Sequence, residues 1–232
     1  MDGSSKWIDI AVDDGSFGAY LALPRGGAGP GIVLLQEIFG VNAHIRSVAE
    51  QYAADGYVVL APDLFWRQRP RVELGYDDAS WAQAAQYMQQ ADLVQAQQDI
   101  GATAAVLRGL PGVGGKIAAL GFCFGGRLAY LAAANGDVDA AIAYYGGRIQ
   151  QHLERAADIR VPLLMHFGGK DAHIPPEAVR SIAQAFDERE NVEIHLYQEA
   201  EHGFNCSHRA SYHQRSAAQA HGESLVFLGE HL

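Results

Sequence analysis

Ala118-Ala119-Leu120-Gly121-Phe122-Cys123-Phe124-Gly125-Gly126-Arg127 is an apolar run that breaks at a glycine-flanked cysteine and then resumes as Leu128-Ala129-Tyr130-Leu131-Ala132-Ala133. It reads as strand, sharp turn, helix. The pattern G-x-C-x-G is the cysteine form of a nucleophile elbow, in which glycines let the chain turn tightly and lift a nucleophile above a parallel sheet. A thiol at this turn faces the positive end of the following helix, which favours the thiolate. The same five-residue pattern also fits a buried structural cysteine, so its meaning depends on what the rest of the chain supplies.

Working outward, the chain alternates strand-like and helix-like stretches. Trp7 to Val12 and Gly18 to Leu23, separated by Asp13-Asp14-Gly15-Ser16, predict an N-terminal antiparallel hairpin. Gly31 to Gln36 is a continuous apolar run of the kind buried on both faces of a sheet, and Tyr57 to Asp63 is another. His44 to Asp55 has helical spacing and is closed by Gly56. A long Ala/Gln-rich stretch from about Ala79 to Leu107 predicts one helix, with Gly109 just past its end. Beyond the elbow helix, Val138 to Tyr145, Val161 to Phe167 and Val192 to Tyr197 predict strands. Pro176 to Glu188 and the region from Ser207 to the C-terminus predict helices. The expected fold is α/β: a mostly parallel, doubly wound sheet whose functional residues sit just after the strands, in a single domain spanning 1–232.

Composition narrows the function. The chain has 232 residues, 49% of them hydrophobic, and a formal charge of −10. That balance, with no clustered Lys and Arg, argues against a nucleic-acid surface. No stretch has the length of a membrane span and the N-terminus lacks an apolar leader core, so a cytoplasmic protein acting on a small molecule is expected. Cys123 and Cys206 alone make no disulfide framework. His208, His213 and His221 match no metal-ligand spacing, and Gly112-Val113-Gly114-Gly115-Lys116 precedes a strand and lacks the Ser or Thr of a phosphate loop. Neither metal nor cofactor is expected. The sequence leaves oligomeric state open.

Two further residues give the cysteine a chemical context. Asp171 follows the Val161 to Phe167 strand, and His202 follows the Val192 to Tyr197 strand. Acyl transfer needs a nucleophile, a base that takes and returns a proton near neutral pH, and an acid that fixes the base's tautomer. Cys123, His202 and Asp171 supply these in the chain order of the α/β-hydrolases. Backbone N–H groups of Phe124 and Ile38 are the expected oxyanion donors. His173, two residues from Asp171, is read as a loop residue.

The chain here resembles the dienelactone hydrolase (carboxymethylenebutenolidase) family. The resemblance rests on Gln36-Glu37-Ile38-Phe39-Gly40-Val41-Asn42, Ala61-Pro62-Asp63-Leu64, Gly121-Phe122-Cys123-Phe124-Gly125-Gly126, Tyr144-Tyr145-Gly146, the Asp171 loop and Ala200-Glu201-His202-Gly203-Phe204. It implies an α/β-hydrolase fold and hydrolysis of enol-lactones through a Cys-His-Asp triad and a thioester acyl-enzyme. It also implies that Glu37 helps convert the Cys123 thiol to thiolate when substrate arrives. Phe39, Trp66, Tyr145 and Arg209 are candidate substrate-pocket residues. The chain departs from the family in its carboxylate-anchoring arginines: no Lys or Arg occurs from Val72 to Leu107, and the position four beyond His202 is Cys206. Arg209, Arg71 and Arg69 are the possible replacements. A general small-ester carboxylesterase of the same fold, or a non-catalytic lactone-binding protein, are the alternative readings.

Overall fold

The computed structural model describes residues 4–232. The eight strands form one sheet in the order β1-β2-β4-β3-β5-β6-β7-β8, and the chain divides into two compact units, Met1–Ala118 and Ala119–Leu232.

In the first unit, β1 (Ser4–Val12) and β2 (Gly15–Leu23) form the expected antiparallel hairpin, with Val12 opposite Gly15 across the two-residue turn Asp13-Asp14. β2 also runs antiparallel to β4 (Val58–Pro62), and β4 runs parallel to β3 (Gly29–Leu35). Parallel neighbours need a crossover, supplied here by α1 (Ala43–Ala54). Residues 32–35 and 58–61 have no exposed surface, which explains why these strands read as unbroken apolar runs rather than alternating ones.

The Ala/Gln-rich stretch is two helices, α2 (Asp78–Gln90) and α3 (Leu93–Gly109), not one. The break lies at Ala91-Asp92. The Asp92 carboxylate accepts the backbone N–H groups of Val94 at 2.8 Å and Gln95 at 3.2 Å, so it caps a new helix where the apolar spacing alone suggests continuation. Trp66 packs near this region. Its Nε1–H donates to Asp99 at 2.9 Å, its ring stacks on Phe17 at 5.8 Å, and Arg67 lies over it at 4.3 Å.

The strand β5 (Val113–Phe122) leads into the second unit, where it is followed by α4 (Phe124–Asn135), β6 (Ala140–Tyr144), β7 (Leu163–Gly168), α5 (Pro176–Ala185), β8 (Val192–Tyr197) and α6 (Gln214–His231). β6, β7 and β8 are mutually parallel. Helix α6 starts seven residues later than its sequence suggests, because Ser207 to His213 forms turns that end at a His213 cap.

Behind β7 lies a buried polar network. His166 is fully buried, with Nδ1 3.0 Å from the Tyr197 hydroxyl and Nε2 3.1 Å from Ser224 Oγ, which in turn meets the Tyr144 hydroxyl at 2.8 Å. Burial among neutral partners, and secondarily the nearby His195, holds the His166 pKa well below 6.5. His166 therefore stays neutral in the folded chain while the unfolded chain binds a proton below about pH 6.5. Stability should fall with acidification, by up to about 1.4 kcal/mol per pH unit from this group alone. Thermal denaturation of wild type and His166→Gln between pH 8 and pH 5 should show a shallower acid loss in the variant. Parallel curves would mean that His166 does not carry the effect.

Candidate active site

Cys123 sits between β5 and α4 with φ 55° and ψ −111°, a conformation that residues carrying a Cβ rarely adopt. Close packing holds it there. The Cys123 N–H donates to the Tyr144 carbonyl at 3.0 Å, tying the turn to the end of β6. A Cβ on Gly121 would collide with the Gly125 backbone, and one on Gly126 would stand 2.6 Å from the Tyr144 carbonyl oxygen. These positions accept only glycine because the strand and helix approach too closely for a side chain. Cys123 is partly exposed and Cys206 is buried, and both are free thiols. Phe124 is the first residue of α4, so its N–H lies at the helix N-terminus beside the thiol.

Asp171 follows β7 and is fixed by three donors. Its Oδ1 accepts the backbone N–H groups of His173 at 2.7 Å and Ile174 at 3.1 Å, while its Oδ2 accepts from His202 Nδ1 at 2.7 Å. Both carboxylate oxygens are therefore engaged, and the Nδ1–H···Oδ2 contact fixes the His202 ring, leaving Nε2 for Cys123. His202 makes a side-chain hydrogen bond with Cys123. Cys123, His202 and Asp171 thus form one continuous chain.

The electrostatics of His202 follow from this arrangement. Burial is the largest single influence and would lower its pKa. The Cys123 charge and the Asp171 carboxylate, each also hydrogen-bonded, outweigh burial and raise it to about 10. His202 accordingly carries its proton at neutral pH.

Around the base stand residues of differing foresight. Tyr145, a pocket candidate, has its ring 5.1 Å from that of His202 and is itself fully buried, with φ 37°. Arg209, another candidate, packs its guanidinium onto the backbone of Gly203, the residue after His202, where a side chain would collide with it. His173 does more than shape its loop. Its ring lies edge-on to His202 at 4.9 Å, and burial, then His202 and Arg209, lower its pKa. The sequence places it two residues from Asp171 but carries no signal that its ring turns toward the base.

The first unit holds the remaining predicted residues. Glu37 and Ile38 follow β3, and both are buried. The Glu37 Oε2 accepts from the Tyr76 hydroxyl at 3.0 Å. Phe39 is buried with its ring 4.6 Å from Tyr76 and 4.9 Å from Trp81. Trp66 lies in the cluster with Phe17, Arg67 and Asp99. Tyr76 was not singled out by the sequence, since nothing local marks the tyrosine that reaches a carboxylate 39 positions away.

Residues 17–232 match the model of the dienelactone hydrolase family. The chain is 35% identical over 226 residues to a carboxymethylenebutenolidase of Pseudomonas putida, covering 97% of this chain and 96% of that one. It is 32% identical to carboxymethylenebutenolidase 1 of Cupriavidus pinatubonensis, covering 92% of each. A crystal structure from Klebsiella pneumoniae subsp. pneumoniae, assigned as a dienelactone hydrolase, superposes with a TM-score of 0.88 at 30% identity over 99% of both chains. The strand order and hairpin described above are those of an α/β-hydrolase fold. Among the described residues, no helix is long and apolar enough to cross a membrane.

If the Cys123 charge is a main support of the His202 proton, removing it should release that proton. In histidine-labelled protein followed by NMR, the His202 ring should titrate near pH 10 in wild type and at distinctly lower pH in Cys123→Ala, where burial opposes Asp171 alone. Equal midpoints in the two proteins would contradict the coupling.

Proposed function

We propose, for a chain that belongs to the dienelactone hydrolase family and is a hydrolase, that it cleaves activated lactones or esters with Cys123 as nucleophile through a thioester acyl-enzyme. The observation that carries this reading is the hydrogen-bonded sequence Asp171, His202, Cys123. When substrate arrives, Glu37 takes the thiol proton. The thiolate, paired with the His202 imidazolium, attacks the substrate carbonyl carbon. The oxyanion is met by the backbone N–H groups of Phe124 and Ile38. The adduct expels an enolate, which receives the His202 proton. Neutral His202 then removes a proton from water, whose oxygen attacks the thioester. The released thiolate recovers its proton from Glu37, and every group returns to its starting state.

Leaving-group chemistry sets the substrate class. A thiolate whose parent thiol has a free pKa of about 8.5 departs more readily than an ordinary alkoxide, so an adduct with a simple alkyl ester mostly collapses backwards. A lactone or ester that releases a stabilised enolate or phenolate goes forward. With an activated aryl ester, wild type should therefore give a burst of released chromophore. Cys123→Ala should fold normally by circular dichroism, give no burst, and lose turnover by at least roughly ten-thousandfold. Undiminished cleavage by that variant would move the nucleophile elsewhere, and absence of turnover in wild type across lactones and aryl esters would favour a binding protein.

The missing family arginines bear on charge preference. An arginine–carboxylate contact contributes about 1.5 to 3 kcal/mol, so losing two should cost orders of magnitude in affinity for anionic substrates. A neutral activated ester should be cleaved with a kcat/KM comparable to or above that of its carboxylate-bearing analogue. A strong, salt-sensitive preference for the anion that disappears in Arg209→Gln would reverse this and identify Arg209 as a replacement anchor.

A further inference from the structure

Asp171 holds both ends of one contact. Its Oδ2 accepts from His202 Nδ1 at 2.7 Å, and its Oδ1 accepts the backbone N–H groups of His173 at 2.7 Å and Ile174 at 3.1 Å. Ile174 is buried, so the turn is anchored by its backbone and by that side chain. The His173 ring leaves this turn and meets the base edge to face, with centroids 4.9 Å apart and planes at 74°. His202 is buried and His173 is exposed, so the His173 ring is an outer cover on the base. Burial, then His202 and Arg209, lower the His173 pKa against the pull of Asp171, and the cover is a neutral ring at neutral pH.

We infer that His173 is a positioning residue for His202, and that its ring matters most in the second half of the reaction, when the acyl-enzyme is hydrolysed. The inference rests on the proposed roles of Cys123 and His202. In the resting site two hydrogen bonds restrain the His202 ring, one to Asp171 and one to Cys123. The second is given up once the sulfur carries an acyl group, because a thioester sulfur has neither the thiolate charge nor a proton to donate. From then on Asp171 holds the ring by a single hydrogen bond, about which an unpacked imidazole could swing. In this half neutral His202 takes a proton from water, the water oxygen bonds to the acyl carbon, and the carbon–sulfur bond breaks to release the acid and the thiolate. A packed ring keeps Nε2 aimed while that happens, and a misaimed base is costly in rate. Being neutral, His173 also sets no second cation against His202 as it gains its proton. The backbone N–H of His173 and its ring act separately, so the ring can be removed without removing the donor to Asp171.

Rapid mixing with an activated aryl ester separates the two halves, since the burst reads acylation and the steady release that follows reads deacylation. In His173→Ala the burst should keep its wild-type rate and amplitude while the steady rate falls about tenfold, with melting temperature little changed. His173→Phe keeps a ring without nitrogens and should restore the steady rate to within about twofold of wild type. His173→Ala combined with His202→Ala should be no slower than His202→Ala alone, because the ring acts only through that base. A wild-type steady rate in His173→Ala beside a slow His202→Ala would overturn the positioning role and leave the His202 reading intact. Equal losses in His173→Ala and His173→Phe would overturn it too, placing the function on the ring nitrogens. Equal loss of burst and steady rate in His173→Ala would also overturn it, marking a distorted loop. Full activity in His202→Ala would remove the reading of the base and this inference with it.

Discussion

The backbone of Cys123 is the constraint on which the second unit depends. A residue with a Cβ held at φ 55° and ψ −111° costs on the order of 1–3 kcal/mol and persists only where its surroundings over-determine it. Here the surroundings are β5, α4 and the end of β6, drawn together until neither Gly121 nor Gly126 has room for a side chain. The Cys123 N–H is tied to Tyr144, and the Cys123 carbonyl accepts the Arg127 N–H at 3.3 Å to open the helix. What the strain secures is a thiol lifted out of a buried strand to the positive end of a helix. The same tight turn explains why the neighbouring residues are so uniformly buried: every residue from Phe124 to Ala134 is in the core, although the helix begins at the one partly exposed cysteine.

Two buried histidines show how neighbours, not burial, decide the chemistry. His166 and His202 are both enclosed, and for both burial is the largest influence on the pKa and acts in the same direction. His166 meets the hydroxyls of Ser224 and Tyr197, which satisfy its nitrogens without offering charge, and it stays neutral. His202 meets Asp171 and Cys123, and it is protonated. Three donors converge on the Asp171 carboxylate and fix its orientation, two of them backbone N–H groups from its own loop. The loop residue that donates one of these, His173, also lays its ring against His202. Its lowered pKa spares the site a second cation directly beside the imidazolium.

The parts of this arrangement that the sequence reveals are those whose signal is local. An apolar run ending in glycine and cysteine, an aspartate just past one strand and a histidine just past another are each legible from a few adjacent letters, and the strand-helix alternation gives the order of elements. The single helix expected from Ala79 to Leu107 fails for a local reason that outweighs periodicity: Asp92 offers a carboxylate to two N–H groups, and a capped start is favoured over continuing through Ala91. Ser207 to His213 likewise forms turns where helix is expected. Tyr76 and the ring of His173 are illegible for a different reason. Their contacts depend on where a loop is folded back, and Tyr76 reaches Glu37 across 39 positions with no motif to announce it.

The arginines offer the sharpest case of structure resolving what letters leave open. Three arginines in the irregular stretch after β4, Arg67, Arg69 and Arg71, look equivalent in the sequence. Arg67 pairs with Asp14 at 2.7 Å and Asp99 at 2.6 Å, so its charge is spent within the first unit. Arg71 lies over the Trp7 ring at 3.5 Å and crowds Gly18, while its own N–H is taken by Asp63 at 2.6 Å. Either could meet a substrate carboxylate only by giving up contacts that hold the β1–β2 hairpin to the loop. Arg69 is exposed to solvent, where an ion pair contributes little. Arg209 differs in kind. It is half-buried, laid on Gly203 next to His202, and close enough to His173 to lower that group's pKa. A cation at that place acts on the charges around the base whether or not a substrate carboxylate comes to it, so its first effect is on the protonation balance of the two histidines.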